Sequence, residues 1–129
     1  MLTDAPVVAF VATARPADAR AFYADVLGLR LVHEDQFALE FEGGGTSVRI
    51  ARVEQLQPAG YTVLGWVVPD IQAAVTDLAA RGVKFERFPA FMQQDPQGIW
   101  SAPGGAQVAW FKDPDGNTLS VTQPGAVSS

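Results

Sequence analysis

The chain predicts an α+β fold of paired βαβββ modules, whose strands form a curved mixed sheet around a cleft. Three observations carry this. Short apolar runs of strand type outnumber the helical stretches, of which there are two. The order β-α-β-β-β occurs twice along the chain. The two helices end in comparable phrases, Leu27-Gly28-Leu29-Arg30-Leu31 and Arg81-Gly82-Val83-Lys84-Phe85. Internal repetition of this kind determines the fold class. A curved sheet with one helix on its outer face cannot bury both faces alone, so two such halves combine. An ordinary α+β sandwich or a single ferredoxin-like unit leaves more of the chain unexplained. The expected organisation is a single domain over residues 1–129, with module one at 5–55 and module two at 60–124.

The elements follow in order. Val7 to Ala12 is a short apolar run and reads as a strand. Ala17 to Leu27 has helical spacing, with Ala21, Phe22, Val26 and Leu27 on one face. Asp18 reads as its cap and Gly28 as its stop. Leu29 to His33 and Phe37 to Phe41 alternate like strands around a polar Glu34-Asp35-Gln36 turn. Glu42-Gly43-Gly44-Gly45 is a turn, and Ser47 to Val53 another strand. Tyr61 to Val68 opens the second half. Asp70 caps a helix over Ile71 to Ala80, with Ala74, Val75, Leu78 and Ala79 as its apolar stripe. Gly82 ends it. Val83 to Phe88 reads as a strand, followed by a long loop around Met92 to Pro96. Trp100 to Pro103 is extended, Gln107 to Phe111 and Thr118 to Thr122 are strands, and Asp113-Pro114-Asp115-Gly116 is the turn between them. Pro124 to Ser129 reads as a frayed tail.

Composition excludes several classes. Hydrophobic residues make up 48% and charged residues 18% of the chain, which describes a packed globular protein. There is no cysteine, so disulfides, thiolate metal sites and thiol nucleophiles are out. The formal charge of −5 argues against a nucleic-acid partner. No apolar run spans a bilayer and the first ten residues lack a basic start, so no membrane partner and a cytoplasmic location are expected. The single histidine, His33, cannot build a two-histidine metal site within one chain.

Three phrases resemble a known family. Phe22-Tyr23-Ala24-Asp25-Val26-Leu27-Gly28-Leu29 resembles a helix end of the vicinal-oxygen-chelate superfamily, the glyoxalase, bleomycin-resistance and dioxygenase proteins. Phe111-Lys112-Asp113-Pro114-Asp115-Gly116-Asn117 resembles the turn before its final strand. Val67-Val68-Pro69-Asp70-Ile71 resembles the entry to its second helix. Their order and spacing cover nearly the whole chain. The Asp113 to Gly116 turn has its own physical logic, with carboxylates for backbone amides, proline to set φ and glycine for φ > 0. Those carboxylates are therefore read as structural.

Many family enzymes hold a divalent metal at four inward positions, and the resemblance maps these onto Val8, Arg49, Leu64 and Ser120. None is a good ligand, and Arg49 puts a fixed positive charge where a cation would sit. The resemblance thus implies the metal-free, bleomycin-resistance type of protein, with no metal and no cofactor, binding a small molecule that is aromatic or apolar and carries an acceptor group. Strand alternation groups Phe10 with Val8, Ala51 and Val53 with Arg49, Trp66 with Leu64, and Thr118 with Ser120, with Val108 and Trp110 facing the same way. The expected ligand-binding set is Phe10, Arg49, Trp66, Val108, Trp110, Thr118 and Ser120, with Met92 and Trp100 from a loop that would serve as a lid or as a plain connection. Trp66 and Trp110 read equally as core. Arg49 reads equally as an ion-pair partner of Glu40. His33 reads as a surface residue. No nucleophile–base pair is visible, so no catalytic residue is assigned. An enzyme with a non-standard site and a non-catalytic dimeric subunit are the alternatives. A homodimer is the expected assembly.

Overall fold

The computed structural model describes residues 1–125, and the chain divides into two compact units, Met1–Pro58 and the segment from Ala59 onward. Residues 126–129 of the expected tail lie outside the described residues. No helix among the described residues is long and apolar enough to cross a membrane.

The first unit contains β1 (Val8–Thr13), α1 (Pro16–Ala21), a five-residue π-helical turn (Phe22–Val26), β2 (Arg30–Glu34), β3 (Ala38–Gly43) and β4 (Thr46–Arg52). Its sheet runs β1-β4-β3-β2, with β1 parallel to β4 and the other pairs antiparallel. Gly44 and Gly45 join β3 to β4 with φ of 59° and 80°. Two consecutive positive φ values make the two-residue turn whose twist matches a tight hairpin, and glycine allows it without strain.

Helical spacing from Ala17 to Leu27 is broken by the π turn, closed by the Leu27 amide donating to the Phe22 carbonyl at 3.0 Å. One extra residue per turn rotates the face presented to the sheet. Ala19 and Tyr23 are fully buried, whereas Ala21 is exposed and Phe22, Val26 and Leu27 are half-buried, so the expected stripe is corrected. Asp18 is not the cap either. Arg15 precedes the helix without a side-chain cap, Pro16 starts it, and Asp18 pairs with Arg15 at 2.7 Å. Gly28, with φ of 76°, does stop the segment, and the Leu29 amide closes back on the Tyr23 carbonyl at 2.9 Å.

The second unit contains β5 (Thr62–Val67), α2 (Ile71–Ala80), β6 (Trp100–Ser101), β7 (Gln107–Lys112) and β8 (Thr118–Gln123), in the sheet order β5-β8-β7-β6. Again the first strand is parallel to the last. Asp70 caps α2 as expected, accepting from the Ala73 amide at 3.1 Å. The helix buries Ile71 and Val75, half-buries Ala74 and Leu78, and leaves Ala79 exposed. Its first amide, on Ile71, donates to the Gln123 side chain at 2.9 Å, which ties the helix start to the end of β8.

The strand expected over Val83 to Phe88 shrinks to one bridge, Phe85 with Phe111, and one bond from the Glu86 amide to the Trp110 carbonyl at 2.7 Å. The reason is Gln94. Its side-chain amide donates to the Glu86 and Gly98 carbonyls at 2.9 Å each and accepts from the Phe88 amide at 2.7 Å. These are backbone groups that a strand would have paired, so one side chain stands in for a ladder. Arg87 reinforces the loop by donating to the Asp95 carbonyl at 2.6 Å.

The Asp113 turn carries the structural role expected. One oxygen of Asp113 accepts from the Asp115 and Asn117 amides, the other from the Asn117 side chain, all at 2.9 Å, and both Asp113 and Asn117 are buried. Asp113→Ala removes three acceptor contacts to a buried carboxylate, so it is expected to lower stability by about 2–3 kcal/mol, read from the urea midpoint.

Candidate functional site

Each sheet has one face against its helix and one open face. In the first unit Val11, Leu39, Phe41, Val48 and Ile50 are buried on the helix side with Ala19 and Tyr23. Alternation then places Val8, Phe10, Ser47, Arg49, Glu40 and Glu42 on the other side. The register forms a row across four strands: Phe10 opposite Arg49, Arg49 opposite Glu40, and Glu40 opposite His33. Phe10 is 65% exposed.

Arg49 is not a lone charge. It forms an ion pair with Glu40, each side chain about one third exposed (30% and 35%). The neighbouring row repeats the pattern, with Arg30 paired to Glu42 at 2.5 Å. Charges on this face are therefore matched locally, and a ligand anion would have to compete with Glu40. His33 is exposed, as expected, and its Nε2 lies 3.1 Å from an Asp35 oxygen. Hydrogen bonds from the Phe37 and Ala38 amides, with a smaller contribution from His33, hold the Asp35 carboxyl below the usual carboxylate range.

In the second unit Ala109, Phe111, Leu119 and Val121 are buried on the side of α2. Gln123, two residues beyond Val121, reaches the α2 terminus and confirms which side that is. The open face therefore carries Thr118, Ser120 and Thr122 from β8, with Val108 and Trp110 from β7. Trp100 of β6 is opposite Val108. The Trp100 and Trp110 rings meet at 6.0 Å with a 35° tilt, and Phe88 stands edge-on to Trp110 at 5.6 Å.

Two expected neighbours of Ser120 are on the wrong side. β5 has a register shift between Thr62 and Leu64, after which Leu64 pairs with Leu119, Gly65 with Ser120, and Trp66 with Val121. Leu64 and Trp66 thus face α2, and Trp66 stacks on the buried Phe111 at 6.4 Å. A one-residue slip exchanges the two faces of a strand, and the irregularity is not visible in the apolar pattern. The open-face residue beside Ser120 is Gly65, which sequence reasoning missed. The signal was a glycine inside a strand. Met92 is half-buried and borders a shallow cavity with Arg87, Pro89, Gln93 and Gln94.

The resemblance maps metal positions onto Val8, Arg49, Leu64 and Ser120, and in the β5 register Gly65 rather than Leu64 lies beside Ser120. Two have no donor atom, one is a permanent cation and one is a neutral hydroxyl. Among the described residues no three His, Cys, Asp or Glu side chains are grouped to hold a metal ion. The donor chemistry does not fit a divalent cation.

The model of the Glyoxalase/Bleomycin resistance protein/Dioxygenase superfamily matches residues 6–121, and the chain belongs to that superfamily. Among solved structures, a superfamily member from Sphaerobacter thermophilus DSM 20745 is 24% identical with a TM-score of 0.74, over 96% of this chain and 100% of that one. TnmS3, an antibiotic binding protein from Streptomyces sp. CB03234, is 23% identical with a TM-score of 0.70, over 97% and 99%. Lactoylglutathione lyase from Agrobacterium tumefaciens is 18% identical with a TM-score of 0.71, over 93% of each chain. Identities this low establish a shared fold. No curated protein matches the chain.

Two predictions follow from the first sheet. A double-mutant cycle with Glu40→Gln and Arg49→Met gives a coupling of about 0.5–1 kcal/mol, because the pair is part-exposed and screened by solvent. Asp35 has a folded-state pKa below its unfolded value of 3.8, so its contribution is full above that value and is lost as pH falls through the lower folded value. Asp35→Asn keeps an acceptor oxygen and removes the titration. Its urea midpoint should fall less steeply than that of the parent protein on acidification through this range.

Proposed function

We propose that this chain binds a small aromatic or apolar molecule without a metal ion, in the manner of a sequestration or resistance protein rather than an enzyme. One observation carries the reading. The open face of the second sheet sets Trp100 and Trp110 beside a column of hydroxyl side chains, Thr118, Ser120 and Thr122, while the helix side is already filled. Aromatic walls with a few polar groups are the usual lining of small-molecule sites. The donor set at the family's metal positions favours an organic guest over a cation. A structural neighbour that is itself an antibiotic binding protein supports the same direction. On this reading Trp100, Val108, Trp110, Thr118 and Ser120 contact the ligand, and Trp66 is core. Phe10 and Arg49 belong to the first sheet, where Arg49 is paired with Glu40. We treat residues 5–55 and 60–124 as the two modules of one domain. A homodimer in the cytoplasm is the proposed setting, supported by exposed rings at Phe10, Phe37 and Phe91.

A thermal-shift survey tests this. Saturating zinc, nickel, manganese and iron(II) should leave the melting temperature unchanged, while an aromatic ligand raises it by mass action. Trp110→Ala should weaken that ligand about tenfold, for the loss of one aromatic platform. A strong rise with any of the four metals sinks the metal-independent reading.

A further inference from the structure

We propose that Gly65 and Ser120 form a notch that sets ligand specificity by admitting one uncharged oxygen, a phenolic hydroxyl or an aryl ketone, of a ring lying against Trp110. The proposal rests on the reading of the second sheet as the ligand face, and it names what that face selects.

The register places Gly65, Ser120 and Trp110 side by side across three strands. The adjacent rows carry bulk: Val67, Thr122, Val108 and Trp100 on one side, Thr62, Thr118 and Lys112 on the other. The central row therefore dips where its two smallest side chains meet. Gly65 is not required by backbone conformation, since it is absent from the glycines with positive φ. A glycine inside a strand costs stability without such a need. What the position does require is space. A Cβ there would stand 2.9 Å from the Ser120 hydroxyl oxygen and 3.3 Å from the Ser120 carbonyl oxygen. Gly65 itself is exposed, so the space above it is open.

Ser120 supplies the chemistry. Its residue is 7% exposed, yet among the described residues its hydroxyl makes no hydrogen bond and is not sealed from solvent. The hydroxyl is left to water, whose place a ligand oxygen can take at little cost. It both donates and accepts, so a hydroxyl or a carbonyl satisfies it. Charge selects further. The charged side chain on the adjacent row, Lys112, has Glu86 as its neighbour at 3.7 Å. Nothing in the row itself compensates a carboxylate or an ammonium, whose desolvation would then go unrewarded. A neutral oxygen on an aromatic ring matches the depth, the polarity and the flanking indole.

The test uses three probes on the full chain, 1-naphthol, naphthalene and 1-naphthoate, with dissociation constants read from tryptophan fluorescence. Naphthol should bind the parent protein about five- to tenfold more tightly than either of the others, the worth of one hydrogen bond to a buried group. Ser120→Ala should erase the preference of naphthol over naphthalene while leaving naphthalene unchanged. Gly65→Ala should weaken naphthol about tenfold or more by filling the notch, and Gly65→Ala with Ser120→Ala should not recover it. Should Gly65→Ala melt early, Ser120→Ala decides alone. Equal affinity for all three probes, unaltered by Ser120→Ala, overturns the notch and leaves the ligand face standing. Failure of every probe to bind the parent protein overturns the ligand face and the notch together.

Discussion

One helix serves four strands in each unit, and that ratio governs everything else. A helix covers one face of a sheet, so α1 and its π turn bury Ala19 and Tyr23 over Phe41 and Ile50, and α2 buries Ile71 and Val75 over Leu119 and Val121. The other face is left to side chains that need not be apolar. Parity thereby assigns strand residues to the helix side or to the other face of the sheet. A position's role follows from whether it is odd or even, and any local irregularity reassigns it.

That dependence explains what the sequence disclosed. Signals confined to a few neighbouring residues were legible: Asp70 as a cap, Gly28 and Gly82 as stops, the glycine hairpin, and the Asp113 turn. Strand existence and the twofold repeat were legible from apolar runs, and the superfamily from the resemblance of three short phrases. Features that depend on one inserted residue were not. The π turn rotated the first helix, and the register shift in β5 turned Leu64 and Trp66 toward α2. The lost strand after α2 was hidden for another reason, because a single glutamine supplied what a partner strand would have supplied. Of the expected ligand-binding set, Val108, Trp110, Thr118, Ser120 and Trp100 share one face. Trp66 does not, and Met92 belongs to the loop.

The two open faces differ in kind. On the first, opposite charges sit on paired strands: Arg49 with Glu40, Arg30 with Glu42. Such pairs hold register and keep the face soluble while adding little to stability. On the second, hydroxyls and indoles take the central rows, with Lys112 and its neighbour Glu86 beside them. Of the two readings the sequence left open for Arg49, ligand contact and ion pair, the pair with Glu40 is present.

The Gln94 amide, staked to three backbone groups, bears on how a guest would come and go. A segment nailed down from within does not swing as a flap. Phe88, whose amide is one of those stakes, keeps its ring beside Trp110 for the same reason. On the proposed reading, a guest's passage would be gated by the turning of individual rings, on the timescale of rotamer hops rather than of hinge motions.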